Sequence, residues 1–414
     1  MGYWVAGGVT AQESKSPNEK VRFACVGVGG KGGSDSNDAR GNGDVVAICD
    51  VDDKTLDKAA GRVSGAKKFN DFREMFDKVG NSFDAVTVST PDHMHAPVAA
   101  MALHHGKHTF CQKPMTRTIS EARALGDLAR KQKVATQMGN QGTAANGLRK
   151  SAALVKAGIL GTVKEVHVWT NRPIWPQGVG RPDGSSVPGN VHWDLWLGVA
   201  PERPYSPQYH PFKWRGWWDF GTGALGDMAC HTMNMPFMAL DLRDPISVEA
   251  KSSGHDKDSF PKWSVIQYEF AARGDRPALT MYWHDGGKRP SADLLDGEKP
   301  GGSGSLIIGD KGKLYSPGDS GNNMKLLGGA SETQVEYPKS PGHFKEWVQA
   351  IQGGQPAKSN FPDYAAPLTE TVLLGNLAVW AGKKVDWDAK NLKATNAPEV
   401  QSLVTPEYTK GYSL

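Results

Sequence analysis

Several common classes of protein are excluded by what this chain has little of. It has four cysteines in 414 residues. Cys25, Cys49, Cys111 and Cys230 show neither C-x-x-C pairing nor a His-Cys ligand spacing, so neither a disulfide framework nor a zinc site is expected. Three of them fall in predicted strands, where free cysteine behaves as a small buried hydrophobe. No run approaches the ~18 apolar residues of a membrane-spanning helix, and none is expected. Charge is nearly balanced, with 48 Lys and Arg against 44 Asp and Glu. The net +4 is too small and too dispersed for a nucleic-acid groove. Metal spacings such as H-E-x-x-H are missing, so no catalytic metal is expected, and there is no internal repeat or low-complexity tract. What remains, 38% hydrophobic and 22% charged, is a soluble globular composition with enough chain for two domains.

The most informative segment follows the apolar run Val21–Val26. Gly27-Val-Gly29-Gly30-Lys31-Gly32 is a G-x-G-x-x-G turn between a strand and a helix. Gly27 permits the tight turn, and Gly29, with Gly30 beside it, lets backbone approach a pyrophosphate. Gly32 lets the helix pack closely on the strand, with its N-terminus aimed at the phosphates. Asp50 closes the next apolar run, where a carboxylate can hydrogen-bond the adenosine ribose hydroxyls. Val51-Asp52-Asp53 follows with no Arg before Arg62, so a 2′-phosphate would meet three carboxylates. The expected cofactor is NAD rather than NADP.

Strands and helices then alternate. Buried strands are predicted at 21–26, 45–49, 85–89, 108–111 and 134–137, and helices at 55–63, 96–105 and 120–131. Thr118-Ile-Ser-Glu121 fits a capping box at the start of the last helix. This is a doubly wound α/β Rossmann sheet, with ligand expected at the carboxyl ends of its strands. After a helix at 148–157 the pattern becomes β-rich, with strands predicted at 163–172, 248–253, 265–270, 278–283, 305–308 and 333–337. Strands without intervening helices imply a second α+β domain on a large, mainly antiparallel sheet. Helices at 343–352 and 369–381 close the chain. The expected division is a leader over 1–18, an NAD-binding domain over 19–138 and a substrate and oligomerisation domain over 139–414. The leader is read as the tail of an export signal of the twin-arginine kind, placing the protein in the periplasm, with the cytoplasm as the alternative. An open sheet face needs covering, so a homo-oligomer, dimer or tetramer, is expected.

Three further motifs carry a family resemblance. Thr90-Pro91-Asp92-His93-Met94-His95, Cys111-Gln112-Lys113-Pro114 and Gly226-Asp227-Met-Ala-Cys-His231 resemble, in order and spacing, the Gfo/Idh/MocA oxidoreductases, named for glucose-fructose oxidoreductase and inositol dehydrogenase. The resemblance implies an active site between the two domains. It puts Lys113, Asp227 and His231 at the reacting centre, and the turn of Thr90, Pro91, His93 and His95 against the nicotinamide ribose. The bland reading of that turn is a polar loop opening a helix at Asp92. Gln112 stands where the family usually has Glu, and an amide cannot exchange a proton. Independently of the family, Asp227 and His231 are spaced i, i+4, so both project from one helix face where the carboxylate can support the imidazole. An ordinary histidine titrates near ~6.5 and a lysine near ~10.4. His231 is therefore the expected base, with Lys113 as relay or hydroxyl donor.

Seven of the 13 tryptophans fall within fifty residues, six of them in a long Gly- and Pro-rich stretch at 173–218. They are either core of the second domain or a sugar platform, since flat aromatic faces beside hydrogen-bonding groups suit a sugar ring. On the second reading the substrate residues are Arg172, Trp175, His192, Tyr209, His210, Trp214, Arg215, Trp217 and Trp218. The expected activity is NAD-dependent oxidation of a secondary hydroxyl of a sugar or glycoside, with ring carbon 3 as the position the family suggests. One alternative is a redox-neutral glycoside hydrolase using transient oxidation and elimination, with Tyr209, His192 or His210 as the extra acid or base. Another is a non-catalytic NAD- and sugar-binding protein. Binding should favour NAD over NADP at least tenfold, about 1.4 kcal/mol. Asp50→Ala should narrow that gap, whereas equal dissociation constants by calorimetry would contradict the reading of the three carboxylates.

Overall fold

A computed structural model describes residues 20–408 and 411–414. The leader expected over 1–18 lies outside the described residues. The first domain is a six-stranded parallel sheet: β1 Val21–Val26, β2 Gly43–Cys49, β3 Lys67–Phe69, β4 Ala85–Val88, β5 His108–Cys111 and β6 Thr136–Met138. Their order is β3-β2-β1-β4-β5-β6, so the chain reverses direction across the sheet between β1 and β4, where such folds open a crevice at the strand ends. Strand β3 was not expected from the sequence. It is Lys-Lys-Phe at the sheet edge with both lysines exposed, and it lacks the apolar run that marks its neighbours.

Helix Gly30–Asn42 shows how little periodicity a helix needs when packing decides. It contains four glycines and one buried apolar side chain, Ala39. A Cβ at Gly32 would stand 1.9 Å from the carbonyl oxygen of Gly27 and 3.0 Å from Ser89 Cβ, so only glycine allows this close approach. Helix Ile119–Gln132 begins as the sequence predicted, with Glu121 accepting from the Thr118 N–H at 2.8 Å.

The second domain is built on nine strands: β7 Val163–Trp169, β8 Ser247–Ser252, β9 Ser264–Phe270, β10 Leu279–His284, β11 Gly304–Gly309, β12 Lys313–Pro317, β13 Lys325–Leu327, β14 Val385–Asp388 and β15 Lys393–Ala394. The order is β13-β12-β11-β7-β10-β9-β8-β14-β15. Every pairing is antiparallel except β7 with β10, where the long 173–218 connection lies between the partners in sequence. Val166, Val168, Met281 and Trp283 turn to the helices, whereas Glu165, Thr280 and Tyr282 turn outward. The strand expected at 333–337 does not form. Its alternation is real, but the segment runs exposed and pairs with no ladder.

The chain also crosses back. Helix His343–Ile351 leaves the second sheet and lays Phe344 and Trp347 on Phe23 and Phe110 of the first. Helix Ala366–Ala381 then packs beside Ile119–Gln132, where Arg123 makes a two-pronged bond to Glu370 at 2.8 and 2.6 Å. The two domains are thus joined by packed core as well as by sequence. Gly32→Ala should cost roughly 1–3 kcal/mol, because the clash is with backbone, which cannot turn aside. Chemical denaturation checks this, and a wild-type midpoint would show that the helix can shift without loss.

Candidate active site

A cleft of about 680 Å³ lies between the domains, above the carboxyl ends of β1, β2, β4 and β5. At one end its floor is the glycine turn. Gly27 adopts φ +76°, and a Cβ there would meet the Ser89 carbonyl at 2.6 Å, so the turn needs glycine. Asp50 pins the same turn, one oxygen accepting from Val28 N at 2.9 Å and the other from Asp52 N at 3.0 Å. Gly29, Gly30, Lys31, Thr55 and Asn70 complete this end. The open turn, the helix N-terminus and the ribose-reaching carboxylate together fit a dinucleotide.

The neighbouring carboxylates have protein partners. Asp52 caps helix Asp53–Ala60, accepting from Lys54 N at 3.0 Å, and also takes Asn190 Nδ2 at 2.7 Å. Asp53 takes Asn70 Nδ2 at 2.8 Å and His192 Nε2 at 3.0 Å, and these bonds hold its pKa below the usual carboxylate range. Two backbone bonds, Asp53 N to Asn190 O and His192 N to Val51 O, both 2.9 Å, make a short antiparallel bridge. His192, expected at the substrate, is instead a clasp between the long loop and the Asp50 end of the cleft.

At the other end stands the ionic centre. Lys113, following β5, donates to the Asp227 backbone carbonyl at 2.7 Å and to its carboxylate at 3.0 Å. Arg215 Nε donates to the same carboxylate oxygen at 3.1 Å. Burial alone would raise the Asp227 pKa, but the two cations outweigh it and hold the carboxyl at about 2. Arg215 is itself caged by aromatic faces, 4.2 Å above Trp214, 4.8 Å from Phe212 and 5.8 Å from Trp175.

His231 lies one turn beyond Asp227 on helix Gly223–Thr232 and lines the cleft, as expected. Two details differ from the expectation. Among the described residues no hydrogen bond joins it to Asp227, whose carboxylate is taken by Lys113 and Arg215. Nor does it titrate near neutrality, since burial and then the Lys113 charge push its pKa down to about 3. It is a neutral imidazole at working pH, able to accept a hydrogen bond but weak as a base.

The sequence marks Asp92 only as a helix start. It is buried, lines the cleft and accepts from Thr222 Oγ1 at 2.6 Å, while burial lifts its pKa to about 7. Its position inside the Thr90–His95 motif was the available signal. In that motif Thr90, Pro91 and His95 line the cleft, but His93 does not. His93 is sealed in the interior with its ring nitrogens 3.2 Å from Phe220 O and 2.9 Å from Trp196 O, so the expected cofactor contact is corrected to a packing role. His95 ties the turn to the Lys113 segment, with ring nitrogens 2.8 Å from both Thr90 O and Pro114 O.

The tryptophan stretch is mostly core. Trp193, Trp196, Tyr205, Tyr209, Trp214, Trp217 and Phe220 pack into one cluster. Trp218 stacks on Phe260 in the main core, and Trp175 is buried with its indole N–H on Gln177. Of the nine expected substrate residues, His210, Trp214 and Arg215 line the cleft. Trp175, Tyr209, Trp217 and Trp218 are corrected to packing roles, Arg172 bonds its neighbour Asn171 away from the cleft, and His192 is the clasp. Leu195, Trp196, Pro211 and Phe212 line the cleft without having been expected. Sequence could not sort these residues, because an aromatic in a loop gives no period from which a face can be read. Among the described residues, no group of three or more His, Cys, Asp or Glu is arranged for a metal.

Fold and cleft together define a two-domain NAD-binding oxidoreductase. Residues 21–140 match the model of the oxidoreductase family with NAD-binding Rossmann fold, and residues 145–414 match its C-terminal alpha/beta domain. The chain belongs to this Gfo/Idh/MocA oxidoreductase family. It is similar to levoglucosan dehydrogenase of Pseudarthrobacter phenanthrenivorans, with 23% identity over 45% of this chain and 40% of that one. It is also similar to a glycosyl hydrolase family 109 protein of Solibacter usitatus, with 34% identity over 26% of this chain and 27% of that one. The matches thus span less than half the length of these curated relatives. Among solved structures, the WlbA dehydrogenase from Bordetella pertussis, in complex with NADH and UDP-GlcNAcA, shares the fold. Its TM-score is 0.64 at 17% identity, over 89% of this chain and 99% of that one.

The depressed His231 pKa has a stability consequence. Native protein binds fewer protons there than unfolded chain, so the stability is complete above about pH 6.5 and is lost as pH falls toward 3. His231→Gln should remove roughly 1–2 kcal/mol of the loss between about pH 6.5 and 4.5. Urea midpoints measure it, and parallel pH profiles for the two proteins would show that the imidazole is not held neutral.

Proposed function

We propose that this protein is an NAD-dependent oxidoreductase that oxidises a secondary hydroxyl of a sugar or glycoside, ring carbon 3 being the position the family suggests. The observation that carries the reading is the placement of Lys113, Arg215, Asp227 and His231 at the far end of a glycine-floored dinucleotide cleft. Binding alone needs no such centre, which argues against a non-catalytic sensor. Gly27, Gly29, Gly30 and Asp50 would hold the cofactor, which supplies a hydride acceptor at its nicotinamide ring.

The chain's own residues handle charge and proton. Two cations share one carboxylate at the centre, leaving a surplus positive charge to stabilise an alkoxide as it forms. The Lys113 ammonium donates to Asp227 and points into the cleft, where it can also donate to the substrate oxygen. Neutral His231 accepts the hydroxyl hydrogen bond and orients it, and the proton passes through this imidazole to solvent in the cleft rather than being held there. Trp214 and Phe212 offer apolar faces to the sugar ring, and His210 a polar edge. Electrons balance as one hydride out of the carbinol carbon and one proton out of its hydroxyl.

A second reading, redox-neutral glycoside hydrolysis, has its own support. It needs one more acid or base for the carbon acid and the leaving group. Asp92, lifted to about 7, and His210 are the groups in the cleft that can serve, in place of Tyr209 and His192. The clasp of Asn190 and His192 over the Asp50 end fits a cofactor kept through each cycle. Purified protein mixed with candidate glycosides distinguishes the readings. Bulk NADH absorbance supports the dehydrogenase, product without net NADH supports the hydrolase, and neither result on any glycoside would defeat both. Lys113→Ala and His231→Ala should retain NAD but lose on the order of 10²- to 10⁴-fold in turnover. Near-normal rates would misplace the centre.

A further inference from the structure

Asp35 is the least expected charge in the cofactor domain. It lies on helix Gly30–Asn42, one turn past the glycine motif, and only 1% of it is exposed. A buried carboxylate is costly unless its lone pairs are filled. Here three donors fill them: Lys31 Nζ at 2.6 Å, Ser89 Oγ at 2.7 Å and Gln112 Nε2 at 2.8 Å. The donors come from three different elements, the start of the dinucleotide helix and the ends of β4 and β5. All three line the cofactor cleft. Asp35 sits behind them and touches none of the reacting groups described above.

This arrangement accounts for the amide at position 112. A glutamate there would set two carboxylate oxygens 2.8 Å apart, with Lys31 engaged on the other oxygen of Asp35. Gly139 backs the same side chain, so closely that a Cβ there would be 2.5 Å from the amide carbon. An ionised carboxylate accepts and never donates. Asp35 therefore fixes which way its neighbours face. Gln112 must turn its NH₂ inward and keep its carbonyl oxygen for the cleft. Ser89 must spend its proton inward and keep its lone pairs.

We propose that Asp35 is a positioning residue of the NAD site, which turns Gln112 and Ser89 into hydrogen-bond acceptors on the cleft floor and holds Lys31 beside them. The ligand groups such a floor receives are donors, and NAD carries donors in its ribose hydroxyls and its carboxamide. On this account position 112 is an amide because the charge sits at position 35, and the two positions are one unit. The inference concerns NAD alone and is independent of which sugar the enzyme takes.

The test is a swap, read as the dissociation constant for NAD by calorimetry on the full chain. Asp35→Asn and Gln112→Glu should each weaken binding by about tenfold or more, near 1.4 kcal/mol. The double variant, which restores one carboxylate facing one amide, should return to within about threefold of wild type. Single variants that bind like wild type would overturn the proposal. So would a double variant whose losses add, or one that recovers its melting temperature but not its NAD affinity, since that is the mark of a merely structural bond. Should Asp35→Asn fail to fold, Ser89→Ala carries the test. Native melting with NAD weakened about two- to fivefold supports the proposal, and unchanged affinity overturns it.

Discussion

One carboxylate, that of Asp227, organises the cleft. It takes Lys113 from the end of a first-domain strand and Arg215 from the long loop, and its own helix belongs to the second domain. Side-chain exposure of 15% for Lys113 and 13% for Asp227 removes most of the water that would screen the pair. In such surroundings, losing the carboxylate would cost about 3–5 kcal/mol, because Lys113 and Arg215 would be left charged without it. The same bond joins the domains, fixes the lysine ammonium in the cleft, and contributes to keeping His231 neutral through the Lys113 charge. Geometry and electrostatics of the site therefore stand or fall together.

That bond could not hold two freely moving domains in register by itself. The C-terminal third supplies the rigidity by returning to the first domain, with Phe344 and Trp347 against Phe23 and Phe110, and Glu370 gripping Arg123. Burying four large aromatics in one contact is worth several kcal/mol, at roughly 1.5–3 for each such side chain. The 173–218 loop adds a third tie. Its aromatic cluster gives a segment with little regular structure a core of its own, so Trp214, Arg215 and His210 are presented to the cleft from a packed base. The same loop reaches across to Asp52 and Asp53, closing the cleft at the opposite end from Asp227.

What the sequence determined by itself is what local pattern encodes. Short apolar runs, glycines at fixed offsets and a following aspartate specify a parallel sheet with a dinucleotide turn, and NAD follows from Asp50. The motifs around Lys113, Asp227 and His231 marked out one end of the cleft for the same reason, since i, i+4 spacing and strand ends are local facts. Only the tertiary structure decided which neighbours each charge meets. Asp227 proved to serve Lys113 and Arg215 rather than His231, and His231 lost its neutral-range pKa to burial that no spacing reveals. His93 and His95 stand two residues apart in one motif, yet one is walled into the interior and the other lines the cleft. The loop aromatics divide in the same way, most filling a core and few facing ligand. Asp92, Asp35 and the strand β3 were invisible for a common physical reason. A carboxylate's pKa and an edge strand's pairing depend on groups brought from distant parts of the chain, and that proximity exists only once the chain has folded.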